Sequence, residues 1–300
     1  MSPVVVASGR DNAAVTAEQQ APVSMAVRLQ LAHAAVQWVA ARNGIDLLHI
    51  KGYALDPTLR EGRSSTDVDV LVRPDHVRRA ARAFTDAGWR RVIGFETGSA
   101  FSHSLTLLHP VWGYLDLHRL NPGISQGSFG RMWERRTRAV IGGFPCPVPD
   151  LATQRLIVIL HVGRSHPSPR GRRDLERVWY EATPGEQNEV RARAEELGAQ
   201  LGFDVAFGRI EDHRDDPAYR LWKVESEGGT RLEEWRARVH AAETLVDKVR
   251  LVVLMPLVNV EHLENLWGRP PTRSELVREF FARPARGVRE EWARMRRPDA

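Results

Sequence analysis

The sequence of 300 residues contains a single cysteine, Cys146, and only three lysines, which are Lys51, Lys223 and Lys248. One cysteine excludes an intramolecular disulfide and a zinc site built from several cysteines, and it favours a reducing compartment. No apolar run approaches the roughly 20 residues that a membrane-spanning helix requires. The N-terminus also lacks the charged start and long apolar segment of a signal peptide. These absences predict a cytoplasmic protein that makes no membrane contact.

The composition is that of a globular protein with a mildly basic surface. Hydrophobic residues make up 42% and charged residues 27%, and the 43 basic and 38 acidic side chains leave a net charge of +5. Almost all the basic residues are arginines. A basic balance of this size is compatible with a nucleotide or nucleic acid partner and equally with an ordinary charged surface.

Hydrophobic periodicity divides the chain into three parts. Residues 1–22 are small and polar and predict a loose tail. Residues 23–150 predict an α/β core, and residues 151–300 predict a helical domain. In the core we expect helices over 23–42 and 74–87, and strands over 45–50, 67–72, 89–94, 101–109 and 114–120. In the helical domain we expect helices over 151–162, 172–182, 186–201, 231–260 and 273–282, with a charged linker over 211–217.

Two aspartates stand on one face of the strand predicted over 67–72. Because side chains alternate along a strand, Asp67 and Asp69 point the same way with Cα atoms roughly 6–7 Å apart. Two carboxylates this close repel unless a cation or proton lies between them. Asp116 and His118 repeat the pattern on the strand predicted over 114–120. If the two strands are close neighbours, three carboxylates converge into a site of the kind that magnesium prefers.

The order of these residues resembles a known family. Lys51-Gly52 follows the first strand, Arg63 precedes Thr66-Asp67-Val68-Asp69, and Leu115-Asp116-Leu117-His118 comes later. This order resembles the uncharacterised bacterial nucleotidyltransferase-like proteins of the DNA polymerase β-type superfamily, over roughly residues 45–120. The resemblance implies an α+β fold, in which a mixed sheet flanked by helices is followed by a mainly helical C-terminal domain.

The resemblance also implies an enzyme that moves a nucleoside monophosphate from a nucleoside triphosphate such as ATP to an acceptor, with Mg²⁺ or Mn²⁺. Asp67, Asp69 and Asp116 would bind the metal ions, and Asp116 would also activate the acceptor oxygen. Lys51 and Gly52 would approach the triphosphate. Arg63 would clamp phosphate or pair with Asp67, and His118 would support the carboxylates through a hydrogen bond.

Several alternatives stay open at the level of sequence. Better-known members of the superfamily carry Gly-Ser where this chain has Lys51-Gly52, which favours a catalytically inactive nucleotide-binding or regulatory module as the runner-up. A toxin-like transferase acting on tRNA is a third reading. The acceptor could be a small molecule, a peptide or protein, or an RNA end.

The turn-rich segment 163–171 and its surroundings offer two further candidates. Arginines at 164, 170, 172 and 173 predict either an exposed anion-binding loop or a solvated run of charge. His161 and His166 are five residues apart and do not share a helical face, so we expect no zinc pair there.

Overall fold

The structure, a computed structural model, describes residues 23–60, 65–95, 100–242, 244–254 and 271–280, together with the single residues 263, 269, 282, 289 and 292. The predicted tail over 1–22 and residue Arg63 lie outside the described residues.

A mixed five-stranded sheet forms the centre of the first half of the chain, with the strand order β1-β2-β5-β4-β3. β2 and β5 are parallel, and the other neighbouring strands are antiparallel. The strands are β1 Leu47–Ile50, β2 Asp67–Val72, β3 Arg90–Ile93, β4 Ser104–His109 and β5 Gly113–His118. Strands were predicted at all five places. The α+β class and the mixed sheet flanked by helices are confirmed.

Helices surround the sheet and make up most of the second half. They are α1 Met25–Arg42, α2 Pro57–Arg60, α3 Val77–Asp86, α4 Phe129–Glu134, α5 Leu151–Gly163, α6 Pro169–Leu175, α7 Pro184–Glu196, α8 Gln200–Ala206, α9 Tyr219–Glu227, α10 Arg231–Ala241 and α11 Leu245–Leu254. A π-helical turn, Glu176–Tyr180, continues α6, and residues 273–280 are also helical. No helix of the described part of the chain is long and apolar enough to cross a membrane.

The two faces of the sheet bury different side chains. Val68, Val70 and Val72 of β2 pack with α1 and α3 on one face. Leu71 of β2 joins the hydrophobic cluster that contains α5 on the other face. Since the residues alternate, Asp67 and Asp69 lie on the α5 side of the strand, opposite the three valines.

Helix α5 is buried almost all round. Residues Leu156 to Leu160 are each no more than 1% exposed. Its hydrophobic cluster includes Leu48 and Ile50 of β1, so the sheet and the helices of the second half share one core. Asp150 caps the start of α5 by accepting a hydrogen bond from the Thr153 amide at 2.8 Å. The division of the chain at residue 150 stays a prediction.

A second sheet was not predicted. Strands β6 Thr137–Ile141 and β7 Phe144–Val148 form an antiparallel hairpin that packs against α1 and β1. Pro145 and Pro147 obscured the strand signal because proline cannot donate to the ladder. They occupy alternate positions of β7, so its remaining residues can still pair with β6.

Several helices of the second half are shorter than predicted. The helix expected over 186–201 ends at Glu196, where Gly198 adopts a positive φ of 63° before α8 begins. The helix expected over 231–260 is interrupted between α10 and α11, and positions 255–260 of that prediction lie outside the described residues. The charged linker expected over 211–217 begins within a 3₁₀ turn, Ile210–His213.

Candidate active site

Parallel pairing of β2 with β5 brings the predicted acidic residues together. The register places Asp69 directly opposite Asp116, while Asp67 lies opposite Tyr114. Asp69, Asp116 and His118 each offer one atom that could bind a metal ion, and these three atoms lie within 4.8 Å of one another. Asp67 precedes this cluster by one step on the same strand face and is not a member of it. The strand adjacency that the sequence analysis assumed is therefore present.

Asp69 is buried and held by two donors at one oxygen. Its Oδ1 accepts a hydrogen bond from Lys51 Nζ at 2.9 Å and lies 2.7 Å from His118 Nε2. Burial opposes ionisation, but the Lys51 charge and the His118 hydrogen bond outweigh it and hold the pKa of Asp69 well below its usual range. Since Asp69 is ionised, the His118 nitrogen that faces it must be the protonated one.

The other two carboxyl groups ionise less readily. Burial, together with the nearby charge of Asp69, raises the pKa of Asp116 to about 6. The same two causes raise the pKa of Asp67. Thr106 on β4 donates to Asp116 Oδ1 at 2.7 Å, and Ser65 lies 3.4 Å from Asp67 Oδ1. The site therefore concentrates negative charge that Lys51 only partly offsets.

This donor set fits a hard divalent cation. Each of the three carboxyl groups has its Oδ1 near a protein donor, and no described residue donates a hydrogen bond to any Oδ2. Carboxylate oxygens are the ligands that magnesium prefers, and a cation between like charges would relieve the repulsion that raises two of the pKa values. Asp69 and Asp116 are the best-placed pair of ligands. His118 supports Asp69 through its hydrogen bond.

The Lys51–Gly52 turn has an unusual backbone. Lys51 follows β1 with φ 63° and ψ −179°, a conformation that residues other than glycine rarely adopt. Gly52 has φ 51°, and a Cβ added there would meet Ser65 Oγ at 2.8 Å. The turn places the Lys51 ammonium against Asp69, and the strain fits a local role for this turn in the site.

Two further residues lie beside the carboxylates, His103, which the sequence did not indicate, and Arg164, which was predicted only as part of an anion-binding loop or a solvated run of charge. His103, in the segment before β4, places its ring centroid 5.1 Å from that of His118. Arg164, directly after α5, donates from Nη1 to His103 Nε2 at 2.9 Å and from Nη2 to His161 Nδ1 at 3.3 Å. His161 therefore accepts a hydrogen bond from an arginine.

The expectation that segment 163–171 is an exposed loop was wrong in part. Arg164 is half-buried and turned towards the site, and α6 already begins at Pro169. Arg170, Arg172 and Arg173 are exposed, as a solvated run of charge would be. Among the described residues, neither His161 nor His166 belongs to a group that could hold a metal.

A cleft of about 1070 Å³ opens at the ends of β2 and β5. Helices α9, α10 and α11 border it, together with residues 119–127, which follow β5. Its lining includes Phe101, Ser102 and Arg119, which are neighbours in sequence of His103 and His118. The three aspartates do not line it, so the cleft adjoins the acidic cluster without containing it.

A family described as uncharacterised nucleotidyltransferase matches residues 16–211. No curated protein matches the sequence. The match spans β1 to β5 and helix α5 and therefore includes the acidic cluster and the Lys51–Gly52 turn, whereas α9, α10 and α11 at the cleft lie beyond it.

Three solved structures show low-level similarity. A lincosamide antibiotic adenylyltransferase, LnuA, with lincomycin bound is 15% identical over 48% of this chain and 92% of its own, with a TM-score of 0.35. The antibiotic-resistance factor ANT(2'')-Ia in solution is 13% identical over 64% and 99%, with a TM-score of 0.38. A nucleotidyltransferase-like protein from Paracoccidioides brasiliensis is 16% identical over 69% and 96%, with a TM-score of 0.36. Similarity at this level does not identify an acceptor.

Proposed function

We propose, because the chain belongs to the family of uncharacterised nucleotidyltransferases, that it transfers a nucleoside monophosphate from a nucleoside triphosphate to an acceptor with the help of Mg²⁺ or Mn²⁺. The observation that carries this proposal is the pairing of Asp69 with Asp116 on adjacent parallel strands. Asp67, Asp69 and Asp116 would hold the metal. A bound divalent cation would neutralise the phosphates and the charge that develops during transfer.

The protein side chains have separate tasks in this proposal. His118 and Lys51 fix the orientation of Asp69 by binding one of its oxygens. Asp116 would also take the proton of an acceptor hydroxyl, since the strand pairing holds its carboxylate beside Asp69. Thr106 orients Asp116 through the hydrogen bond to Oδ1. Lys51, Gly52 and Arg63 would approach the triphosphate.

The proposed acceptor site is the cleft beside the acidic cluster. It lies outside the carboxyl ends of β2 and β5, the edge of a sheet at which ligands bind in many α/β proteins. Its volume suits a small molecule, a peptide or an RNA end. We place the protein in a reducing compartment such as the cytoplasm, since its one cysteine is a buried free thiol.

Transfer of a labelled nucleotide tests the proposal. The full chain is incubated with MgCl₂, ATP labelled at the α-phosphate and cell lysate, and label is then measured in small-molecule, protein and RNA fractions. Asp69→Asn and Asp116→Asn should each lower transfer by at least about 100-fold, since removing groups that only support a metal ligand already costs 10–100-fold. They should also weaken Mn²⁺ binding in calorimetry.

Asp75→Asn is the matched control, because Asp75 is an exposed carboxylate just beyond the same strand. It should leave transfer and Mn²⁺ binding unchanged. Wild-type transfer by Asp69→Asn would show that the metal assignment is wrong.

One observation favours the inactive-module reading as a second candidate. The Lys51 ammonium already supplies a positive charge to Asp69 at 2.9 Å. An inactive module would bind nucleotide in calorimetry but release no pyrophosphate with any acceptor fraction. Pyrophosphate release that depends on Mg²⁺ and on Asp69 would contradict this reading.

A further inference from the structure

Arg164 is a half-buried cation that forms no salt bridge with any carboxylate of the described residues. Within the described part of the chain, its side-chain hydrogen bonds go to two imidazole nitrogens, His103 Nε2 and His161 Nδ1. Burial, together with the Arg164 charge, lowers the pKa of His103 far below its usual range, so the ring is neutral. A guanidinium has five N–H donors, and these two acceptors satisfy only part of that capacity.

Three other arginines of the described residues, whose side chains are 6–12% exposed, pair with carboxylates. The pairs are Arg155 with Glu186 at 2.7 Å, Arg193 with Asp150 at 3.1 Å, and Arg238 with Glu234 at 3.7 Å. Such pairing is expected, because a charge removed from water needs an opposite charge or several hydrogen bonds. Arg164 makes no such ion pair with any described residue, and its hydrogen bonds go to imidazole nitrogens instead.

The position of Arg164 connects it to the acidic cluster. His103 lies between Arg164 and His118, and His118 in turn contacts Asp69 at 2.7 Å. Burial lowers the pKa of Arg164, while the nearby charges of Asp69, Glu225 and Asp116 favour its charged form; no hydrogen bond joins it to any of the three among the described residues. The guanidinium therefore lies near the proposed metal ligands, at the C-terminal end of α5.

We propose that Arg164 binds the phosphates of the nucleoside triphosphate. This inference rests on the proposed function and adds a residue to its substrate site. The planar guanidinium suits phosphate oxygens, which accept two parallel hydrogen bonds from it. His103 and His161 hold the guanidinium through their ring nitrogens without forming an ion pair with it, so it can still pair with an anion.

The inference is tested by binding rather than by turnover. Inorganic triphosphate, ATP and adenosine are titrated into the full chain by calorimetry, and Mn²⁺ is titrated separately. Arg164→Gln should raise the Kd for inorganic triphosphate and for ATP by about 10- to 100-fold, which is the range of one or two charge-assisted hydrogen bonds. The weak binding of adenosine and the Kd for Mn²⁺ should not change.

Arg172→Gln is the matched control, since Arg172 is an exposed arginine in the neighbouring helix α6. It should bind all four ligands as the wild type does. If Arg164→Gln fails to fold, Arg164→Lys keeps the charge but loses the planar fork, and it should weaken triphosphate binding by a smaller factor.

Two outcomes would overturn the inference. Wild-type triphosphate affinity in a folded Arg164→Gln or Arg164→Lys variant would show that the guanidinium does not touch the anion. Equal losses of Mn²⁺ and triphosphate affinity would show that Arg164 acts only by positioning His103 and His118. Triphosphate binding through Arg164 in a chain that transfers no nucleotide would support this inference and refute the proposed function, so the two can fail separately.

Discussion

Replacing Gly52 by alanine tests why the turn after β1 needs a glycine. Gly52 has φ 51°, and an added Cβ would lie 2.8 Å from Ser65 Oγ and 3.1 Å from Ser65 Cβ. Gly44 is a natural control, because it has φ 58° but nothing lies within 4 Å of the corresponding position. The two substitutions impose similar backbone strain and differ in the steric contact.

The structure sets the size of the expected difference. A left-handed backbone costs an alanine roughly 1–2 kcal/mol, and this cost should apply at both positions. Gly52→Ala should lose about 1–3 kcal/mol more, the usual penalty of overpacking. If Ser65 instead rotates away, it gives up its 2.9 Å hydrogen bond to the Asp67 carbonyl, which is worth about 1 kcal/mol.

Urea denaturation of both variants measures these losses as changes in the free energy of unfolding. Gly52→Ala should be the less stable by at least about 1 kcal/mol, and adding Ser65→Gly should remove most of that excess. If the rescued double variant still binds inorganic triphosphate poorly, Gly52 is also needed for phosphate to approach the backbone. Equal stability of Gly52→Ala and Gly44→Ala would refute the packing argument.

Two further predictions concern charge. Lys51→Met should lower the free energy of unfolding by about 2–3 kcal/mol. The loss should be smaller than for breaking a fully buried ion pair, since Asp69 keeps its hydrogen bond to His118. Saturating Mg²⁺ should restore part of this loss in thermal melts, and an absence of rescue would contradict a cation site. His33 should also make the free energy of unfolding fall by about 3 kcal/mol as the pH drops from 6.5 to 4, because burial lowers its pKa to about 4, so the unfolded chain takes up this proton first. Burial lowers the pKa of His49 as well, which acts in the same direction. In denaturation curves across this range His33→Asn should flatten the dependence, and an unchanged slope would count against the argument.

The geometry of the histidine pair explains why it resists protonation. His49 Nε2 lies 3.1 Å from Gln37 Oε1 and therefore donates to it, which leaves His49 Nδ1 as the acceptor for His33 Nδ1 at 2.9 Å. His33 Nε2 then has no hydrogen-bond partner among the described residues. A proton added to this nitrogen would be buried without an acceptor, so it is costly.

The acidic residues of the site could be predicted from the sequence because their placement on one strand face follows from a local pattern. Alternation along 67–72 assigns Val68 and Val70 to one face and Asp67 and Asp69 to the other, and the strand has the predicted bounds. The pairing of Asp69 with Asp116 is different, because alternation assigns faces and does not choose neighbouring strands. That adjacency was inferred from the family resemblance. The family match confirms the nucleotidyltransferase prediction.

Arg164 shows where local pattern fails. Its segment contains glycine, proline, serine and several arginines, which together indicate an exposed turn. The contact that turns the side chain inward is with His103, 61 residues away in the sequence. Neither residue belongs to a spaced motif, so no pattern within either segment could indicate the pair. Arg170 has similar sequence neighbours and is exposed, so the local sequence does not distinguish an inward arginine from an outward one.

The two donors on Asp69 bear on whether Lys51 replaces a metal or works with one. A lysine that stood in for a cation would be expected to contact both Asp69 and Asp116, the carboxylates that would hold the metal. Lys51 instead binds Oδ1 of Asp69, the oxygen that His118 already holds, and makes no hydrogen bond to Asp116. No described residue donates a hydrogen bond to Oδ2 of Asp69, so a cation can bind this oxygen without displacing the lysine. On this argument Lys51 orients the ligand, and it keeps Asp69 ionised until a metal arrives.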